Sequence, residues 1–337
     1  MDIRDVILDE EREEIARFLK QFHIVFEDDI DKTLALYEDG RLVATASAAK
    51  NIVKCVAVDV EFQSKNYLST LMSALIKRLN EEGKHHIFVY ARPELDEVFR
   101  GLGFKPVVQT MNISFLEQGG DIRRTLTDLK KEYDLDNRPK GAVVVNANPL
   151  TKGHLHLIRK AKENHDTLLV FVVSEDRSFF PFGDRFAIVK EALADDRDVV
   201  VLPTKDYLVS FATFPKYFQK REEKIREEHA LIDVFTFKQH YMKIFNIVTR
   251  YVGDEPYSPM TDTYNKTMRH YLGNDLCLIE RKTVDEKPIS ASTVRTLLEK
   301  KDVAAVKPYV PEATLRYLES EKGRRVLKTI KDHDQRH

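Results

Sequence analysis

Cysteine is scarce: the 337 residues contain two, Cys55 and Cys277, each inside an apolar run, 53–58 and 276–279. Two such residues make no disulfide framework, and neither sits at the spacing of a Cys/His metal site. Both are expected to be buried free thiols in a reducing compartment. An excess of either charge is also missing. Lys and Arg total 54 against 55 Asp and Glu, a formal net charge of −1. No global basic field invites nucleic acid, and no acidic excess argues for disorder. No apolar run reaches the roughly 18 residues that a membrane span needs. The opening MDIRDVILDEEREE has no apolar signal core. No membrane partner is therefore expected, and the expected location is cytoplasmic. Internal repeats and low-complexity segments are absent as well.

What is present is an ordinary globular balance, 42% apolar and 32% charged, over a length that suits two domains of about 150 residues each. Residues 1–115 mix helix and strand patterns. Ile15, Phe18, Leu19 and Phe22 recur at helical spacing, and 68–79 carries a stripe of Leu68, Leu71, Met72, Leu75 and Leu79. Residues 33–37 and 42–48 flank Glu38-Asp39-Gly40, a hairpin signal. Further strands are expected at 52–60, 86–90 and 104–108, with a short helix over 94–102. Gln118-Gly119-Gly120 interrupts the pattern, and a polar helix over 121–133 and a turn at 137–140 follow. From 141 to 318 strand and helix alternate, with strands expected at 142–146, 167–173, 199–203, 231–236, 249–252 and 276–280. Such alternation predicts a parallel sheet with helices on both faces. The expected organisation is a domain over 1–118, a linker over 119–139, a second domain over 140–322 and a charged, fraying tail over 323–337.

The strongest motif is Asn146-Ala147-Asn148-Pro149-Leu150-Thr151-Lys152-Gly153-His154, which follows the first buried strand of the second half and opens a helix. In an open α/β sheet, ligands bind at the carboxyl ends of strands, and a helix start there offers free N–H groups and a positive dipole end to phosphate. Gly153 permits close approach. Thr151 can cap the helix or face a phosphate oxygen, and His154 can donate to one. By itself T-x-G-H reads equally as a turn and an N-cap. The second motif, Pro288-Ile289-Ser290-Ala291-Ser292-Thr293-Val294-Arg295, also opens a helix. Ser290, Ser292 and Thr293 supply hydroxyls, and Arg295 supplies a guanidinium fork; a serine-rich N-cap is the plain alternative. Arg177, in Ser174-Glu175-Asp176-Arg177 after the second strand, is a candidate phosphate or carboxylate clamp. Asp184 and Arg185 read as a structural ion pair or helix start. Gly253 and Glu255, in Gly253-Asp254-Glu255-Pro256-Tyr257, form a candidate base or ribose loop.

T-x-G-H followed by I-S-x-S-T-x-x-R resembles the nucleotidyltransferase superfamily, which includes pantetheine-phosphate and nicotinamide-nucleotide adenylyltransferases. The fuller strings at 146–154, 174–185 (SEDRSFFPFGDR), 206–218 (DYLVSFATFPKYF), 253–261 (GDEPYSPMT) and 287–295 (KPISASTVR) look like the citrate lyase ligase family. The first half resembles a GNAT acetyltransferase fold through 56–60, the 63–68 loop and Phe99-Arg100-Gly101-Leu102-Gly103-Phe104. The resemblance implies an α/β chain: a C-terminal Rossmann-like nucleotidyltransferase domain with a parallel sheet, and an N-terminal GNAT-like α+β domain. It implies that acetate attacks the α-phosphorus of ATP, with Mg²⁺ on the nucleotide and no protein-only metal site. A thiol on the dephospho-CoA-derived arm of the citrate lyase acyl-carrier subunit then takes the acetyl group. His154, Thr151 and Arg177 would act on the reacting phosphate. Asn146, Asn148, Gly153, Gly253, Glu255, Ser290, Ser292, Thr293 and Arg295 would bind ATP. Where GNAT enzymes carry Q/R-x-x-G-x-G/A, this chain has Gln63-Ser64-Lys65-Asn66-Tyr67-Leu68, and Leu68 crowds the pyrophosphate cradle. Acetyltransferase activity of its own is not expected of the first domain, which reads as a platform for a CoA-like arm or as scaffold. A small-molecule adenylyltransferase and a nucleotide sensor without turnover are the alternative readings of the whole chain.

Overall fold

The structure, a computed structural model, describes residues 1–174, 178–208, 214, 222–254, 259–284, 287–300 and 303–334. Two compact units form: Met1–Leu129 with Phe214–Thr236, and Lys130–Thr213 with Phe237–His337.

The first unit contains, in order, β1 (Asp2–Asp5), α1 (Asp9–Lys20), β2 (Lys32–Glu38), β3 (Arg41–Ala49), β4 (Ile52–Val58), α2 (Tyr67–Glu81), β5 (Ile87–Ala91), α3 (Asp96–Gly101), β6 (Lys105–Gln109), β7 (Ser114–Gln118) and most of α4 (Ile122–Glu132). Its seven strands run in the order β1-β2-β3-β4-β5-β7-β6. Asp39 and Gly40, at φ 49° and 79°, turn the β2–β3 hairpin with the positive dihedrals that an Asp-Gly pair tolerates. Leu71, Met72, Leu75 and Leu79 of α2 are wholly buried in one core with Leu34, Val53 and Val89. Ile15, Phe18 and Leu19 of α1 pack with Ala35, Leu42 and Cys55 in a second. Among the described residues of this unit only β4 and β5 run parallel, and their pairing is limited to Ile52–Phe88 and Val53–Val89. A cavity of about 480 Å³ lies beyond that pairing, lined among others by Val56, Val58, Leu68, Ala91 and Leu95.

The segment expected as a linker carries α4, whose stripe of Ile122, Leu126 and Leu129 is buried. The second unit then alternates β8 (Lys140–Val145), α5 (Lys152–Lys162), β9 (Leu168–Val172), α6 (Phe182–Ala192) and β10 (Val199–Pro203). Next come α7 (Glu222–Thr236), which packs with the first unit, and α8 (Met242–Phe245), reached through a π-turn at Phe237–Tyr241. The remainder is β11 (Ile247–Gly253), α9 (Pro259–Leu272), β12 (Leu276–Ile279), the short pair β13 (Thr283–Val284) and β14 (Lys287–Pro288), then α10 (Ala291–Glu299), α11 (Glu312–Glu319) and α12 (Glu321–Asp334). The sheet order is β10-β9-β8-β11-β12, and every neighbouring pair is parallel. The order reverses at β8, so the crevice beside its carboxyl end is the topological switch point where such sheets take ligands.

Several expectations are corrected. Residues 231–236 are the last turns of α7 and not a strand. Ala230, Ile232 and Val234 are buried together with His229, Asp233 and Thr236, so the helix is covered on nearly every side. Its apolar run shows no period by which to tell it from a strand. The short strands β1 and β7 were not expected. The charged tail carries α12 over its described length, and Leu327 is buried with Val294, Leu298 and Leu318. Cys55 is buried as expected, but Cys277, on edge strand β12, is only partly so. Among the described residues no helix is long and apolar enough to cross a membrane. Leu327→Ala should cost roughly 2 kcal/mol or more and lower the thermal midpoint, while Lys328→Ala, at an exposed neighbour, should leave it unchanged. Equal midpoints for the two variants would mean that the helix is not docked.

Candidate active site

The site is built on the turn that leaves β8. Ala142, Val143 and Val145 are buried, and beyond them the chain turns sharply, with Ala147 at φ 51°. Arg185, wholly buried on α6, holds this turn. Its Nη1 donates to the Asn146 carbonyl (2.8 Å), to Asn146 Oδ1 (2.9 Å) and to the Val173 carbonyl beyond β9 (2.8 Å), while Nε donates to the Phe180 carbonyl (2.9 Å). Asn148 Oδ1 accepts the Phe180 N–H (3.2 Å). The side-chain oxygens of Asn146 and Asn148 thus shape the turn. Asp184, at the start of α6, accepts from Tyr317 (2.7 Å) and forms an ion pair with Lys322, so both members of the Asp184-Arg185 pair are structural.

Thr151 caps α5. Its hydroxyl accepts the His154 N–H (3.3 Å), and the Thr151 N–H donates back to His154 Nδ1 (3.0 Å). This is a capping box with histidine in the place usually held by Glu or Gln. An Nδ1 that accepts a backbone N–H carries no proton, so the neutral ring bears its hydrogen on Nε2. His154 keeps part of its surface open, yet burial, helped by the charge of Arg281, pushes its pKa down to about 4. The imidazole is therefore a neutral Nε2–H donor at physiological pH.

The second motif lies against the first. A Cβ on Gly153 would stand 3.1 Å from the Ile289 carbonyl oxygen and 3.4 Å from the Ile289 Cβ, so glycine is what lets α5 start this close to the chain entering α10. Ser290 caps α10 by accepting the Thr293 N–H (3.1 Å), and its hydroxyl also meets those of Ser292 (2.9 Å) and Thr293 (2.8 Å). Arg295 reaches back: Nη1 donates to the Asn148 carbonyl (2.7 Å), and the guanidinium lies 5.5 Å from the Phe179 ring centroid. Burial draws its pKa down, which marks a partly desolvated charge that an anion would stabilise. His154, Thr151, Gly153, Asn148, Ser290 and Arg295 therefore form one constellation, with Ser292 and Thr293 exposed on its rim. Gly253 ends β11 on the same side of the sheet. Arg177 and Glu255 lie outside the described residues. Arg281, two residues past β12, was missed by sequence reading. Its only signal is a basic residue just beyond the carboxyl end of a parallel strand.

Two phosphate-type helix starts locked together at the switch point of a five-stranded parallel sheet define a nucleotidyltransferase-like α/β domain, here joined to a GNAT-like domain. The family described as "Citrate lyase ligase C-terminal domain" matches residues 140–318, and "Acetyltransferase (GNAT) domain" matches 6–115. The chain is 35% identical over 317 residues to the [Citrate [pro-3S]-lyase] ligase of Escherichia coli (strain K12), covering 91% of this chain and 90% of that one. The protein of the same name from Klebsiella pneumoniae is 33% identical over 91% of this chain and 92% of its own. That from Haemophilus influenzae is 32% identical over 90% and 94%. The chain belongs to the citrate lyase ligase family.

His154 gives the site a pH signature. Its folded pKa, about 4, lies below the ordinary 6.5, so the unfolded chain takes up the proton first. Its contribution to stability is complete above pH 6.5 and is lost as the pH falls from 6.5 towards 4. His154→Gln keeps a capping-box side chain without the titration, and its unfolding midpoint should fall less between pH 7 and pH 5. An NMR titration of the ring should give a midpoint well below 6; a midpoint at or above 6.5 would contradict the burial of Nδ1 in the cap.

Proposed function

We propose that the second unit joins acetate to ATP and that the acetyl group then passes to a thiol on citrate lyase. An acetate oxygen attacks the α-phosphorus, the bond to pyrophosphate breaks, and acetyl-adenylate forms. The thiolate of the dephospho-CoA-derived arm, carried by the acyl-carrier subunit, attacks the acetyl carbon, and AMP leaves with the acetate-derived oxygen. The observation that carries this reading is the junction of the two motifs, Arg295 on the Asn148 carbonyl and Ile289 against Gly153, at the switch point. The first step asks for in-line positioning and charge neutralisation more than covalent help from protein. His154 Nε2–H is suited to donate to a phosphoryl oxygen without giving up its proton. The helix starts at Thr151 and Ser290, with the hydroxyls of Ser292 and Thr293, hold phosphates. Arg295 supplies charge, Arg177 is assigned the role of clamp, and Gly253 and Glu255 the base or ribose loop. Among the described residues no group of three or more His, Cys, Asp or Glu side chains could hold a metal ion. We assign Mg²⁺ to the phosphates of ATP, because Mg²⁺ keeps most of its waters and is bound mainly through substrate phosphates.

His154→Ala should lose a hundredfold or more of acetate-dependent ATP–pyrophosphate exchange, about 3 kcal/mol, with ATP affinity within a few-fold of the unmodified chain. Exchange that survives the substitution would remove His154 from the transition state. Exchange driven by a nucleotide instead of acetate would replace the ligase reading with that of an adenylyltransferase.

For the first unit we propose a receiving role for the thiol-bearing arm in the cavity beside Val58 and Leu68. Lys65 at the start of α2 is paired with Glu38 (2.8 Å), and Leu68 lines the cavity; both take up space at the helix start where small residues would admit a pyrophosphate. Val58→Trp, which fills the cavity, should leave acetate-dependent exchange intact and slow acetyl transfer to the carrier at least tenfold. Transfer at the unmodified rate by a folded variant would reduce the first unit to scaffold.

A further inference from the structure

In the first unit, β4 and β5 pair at Ile52 and Val53 and then part, so the cavity opens between their carboxyl ends. Its wall is apolar, with Val56 and Val58 from β4, Val89 and Ala91 from β5, Leu68 from α2 and Phe99 from α3. A volume of about 480 Å³ suits the body of one small ligand. Among the described residues two charged side chains line it, Lys65 and Arg92, and both are cations. They are not equivalent. Lys65, at the start of α2, donates to both carboxylate oxygens of Glu38 (2.8 and 2.9 Å). Its ammonium also lies 4.9 Å from the Phe62 ring centroid and 5.6 Å from that of Tyr67. Its charge is answered, and Glu38 sets a negative charge beside a helix start where a phosphate would otherwise find free N–H groups. Arg92 follows Ala91, the last residue of β5, and is exposed. Its carbonyl accepts the Leu95 N–H (2.9 Å), which fixes the turn at Pro93–Leu95. Among the described residues its guanidinium has no ion pair, and the acids that follow, Glu94, Asp96 and Glu97, are not paired with it.

A free guanidinium at the mouth of an apolar cavity is complementary to a ligand with an uncharged body and an anionic end. The thiol-bearing arm has that form: a neutral pantetheine stretch ends in the thiol on one side and joins phosphate on the other. A phosphate inside the apolar wall would be desolvated without compensation, so the thiol end enters and the phosphate stays at the mouth. There the planar fork of an arginine can donate to two of its oxygens. We infer that Arg92 binds a phosphate of the arm, so that the anion is held at the end of β5 and not at the start of α2. This rests on the receiving role given to the first unit above. It also accounts for a helix start closed by Lys65, Glu38 and Leu68 in a unit that still keeps an open cavity.

Isothermal titration of the full chain with pantetheine, phosphopantetheine and dephospho-CoA tests it, with MgATP saturating so that the second unit's site is filled. The two phosphorylated thiols should bind about tenfold more tightly than pantetheine, or better, as a charge-assisted contact implies. Arg92→Gln and Arg92→Met are the neutral variants, and whichever keeps the thermal midpoint decides. Such a variant should bind all the probes alike, at the affinity the unmodified chain has for pantetheine, and its KM for the carrier subunit in acetyl transfer should rise about tenfold. Arg92→Lys should keep part of the preference. A preference that survives in the neutral variant, or is missing from the unmodified chain, would overturn the inference and leave the receiving role standing. Its loss in Lys65→Gln instead would return the phosphate to the start of α2. A lost preference with an unchanged KM for the carrier would assign Arg92 to a free phosphorylated thiol and overturn its role on the arm. A chain that binds none of the probes, and whose acetyl transfer is indifferent to Val58→Trp, would overturn both the inference and the receiving role.

Discussion

Arg185 sits wholly buried at the carboxyl ends of β8 and β9, donating to carbonyls of Asn146, Val173 and Phe180 and to the Asn146 side chain. A charge taken out of water is costly unless its donors find acceptors. Here the acceptors are backbone oxygens that the sharp exit from β8 would otherwise leave without partners. The two needs are met together, and the position of the turn follows. Asn148 is placed by the Phe180 N–H, Arg295 can then reach the Asn148 carbonyl, and α10 is brought against α5. An alternative rotamer of Arg185 would release all of these at once.

The second constraint is the cap on α5. A histidine at the third position of a capping box does two jobs that pull in the same direction. It completes the helix start by accepting a backbone N–H, and that acceptance dictates which nitrogen keeps the proton. Burial then holds the ring neutral, with Arg281 adding to the effect. The donor needed at a phosphoryl oxygen is thus produced by helix-capping geometry, without a separate carboxylate to orient the ring, in contrast to the triad arrangement in which an acid fixes the tautomer.

Much of this was legible in the sequence where local chemistry sets the answer. The Asp39-Gly40 hairpin, the α2 stripe from Leu68 to Leu79 and the apolar strand β8 all carry a period or a turn residue that permits one structure. The two helix starts were legible for the same reason: Thr151 and Ser290 are N-caps whose partners lie three residues on. What was not legible is set by distant partners. Helix α7 is buried on nearly every side and so shows no stripe. Helix α12 looks like a charged tail because Leu327 is one of few apolar residues there, and its cover comes from Val294, Leu298 and Leu318 on other helices. The charge of Arg281 matters to His154 only because β11 and β12 end side by side, and no spacing along the chain encodes that.

The chain order adds one more step. Helix α7 falls between β10 and β11 of the second unit's sheet, yet it packs with the first unit. Its Glu228, 5% exposed, accepts from Thr110 Oγ1 (3.1 Å) and from the Asn112 side chain, in the loop between β6 and β7. A buried carboxylate with those two partners is stable; the same carboxylate facing only its own helix would be desolvated without compensation. Ile232 and Val234 of the same helix are buried as well. The chain leaves the nucleotide-type sheet, completes the other unit and returns to lay down β11 and β12, which carry Gly253 and lead to Arg281. Within the second unit, β11 and β12 are placed by their parallel pairing with β8 and with each other, and that pairing brings the end of β11 beside the turn that leaves β8.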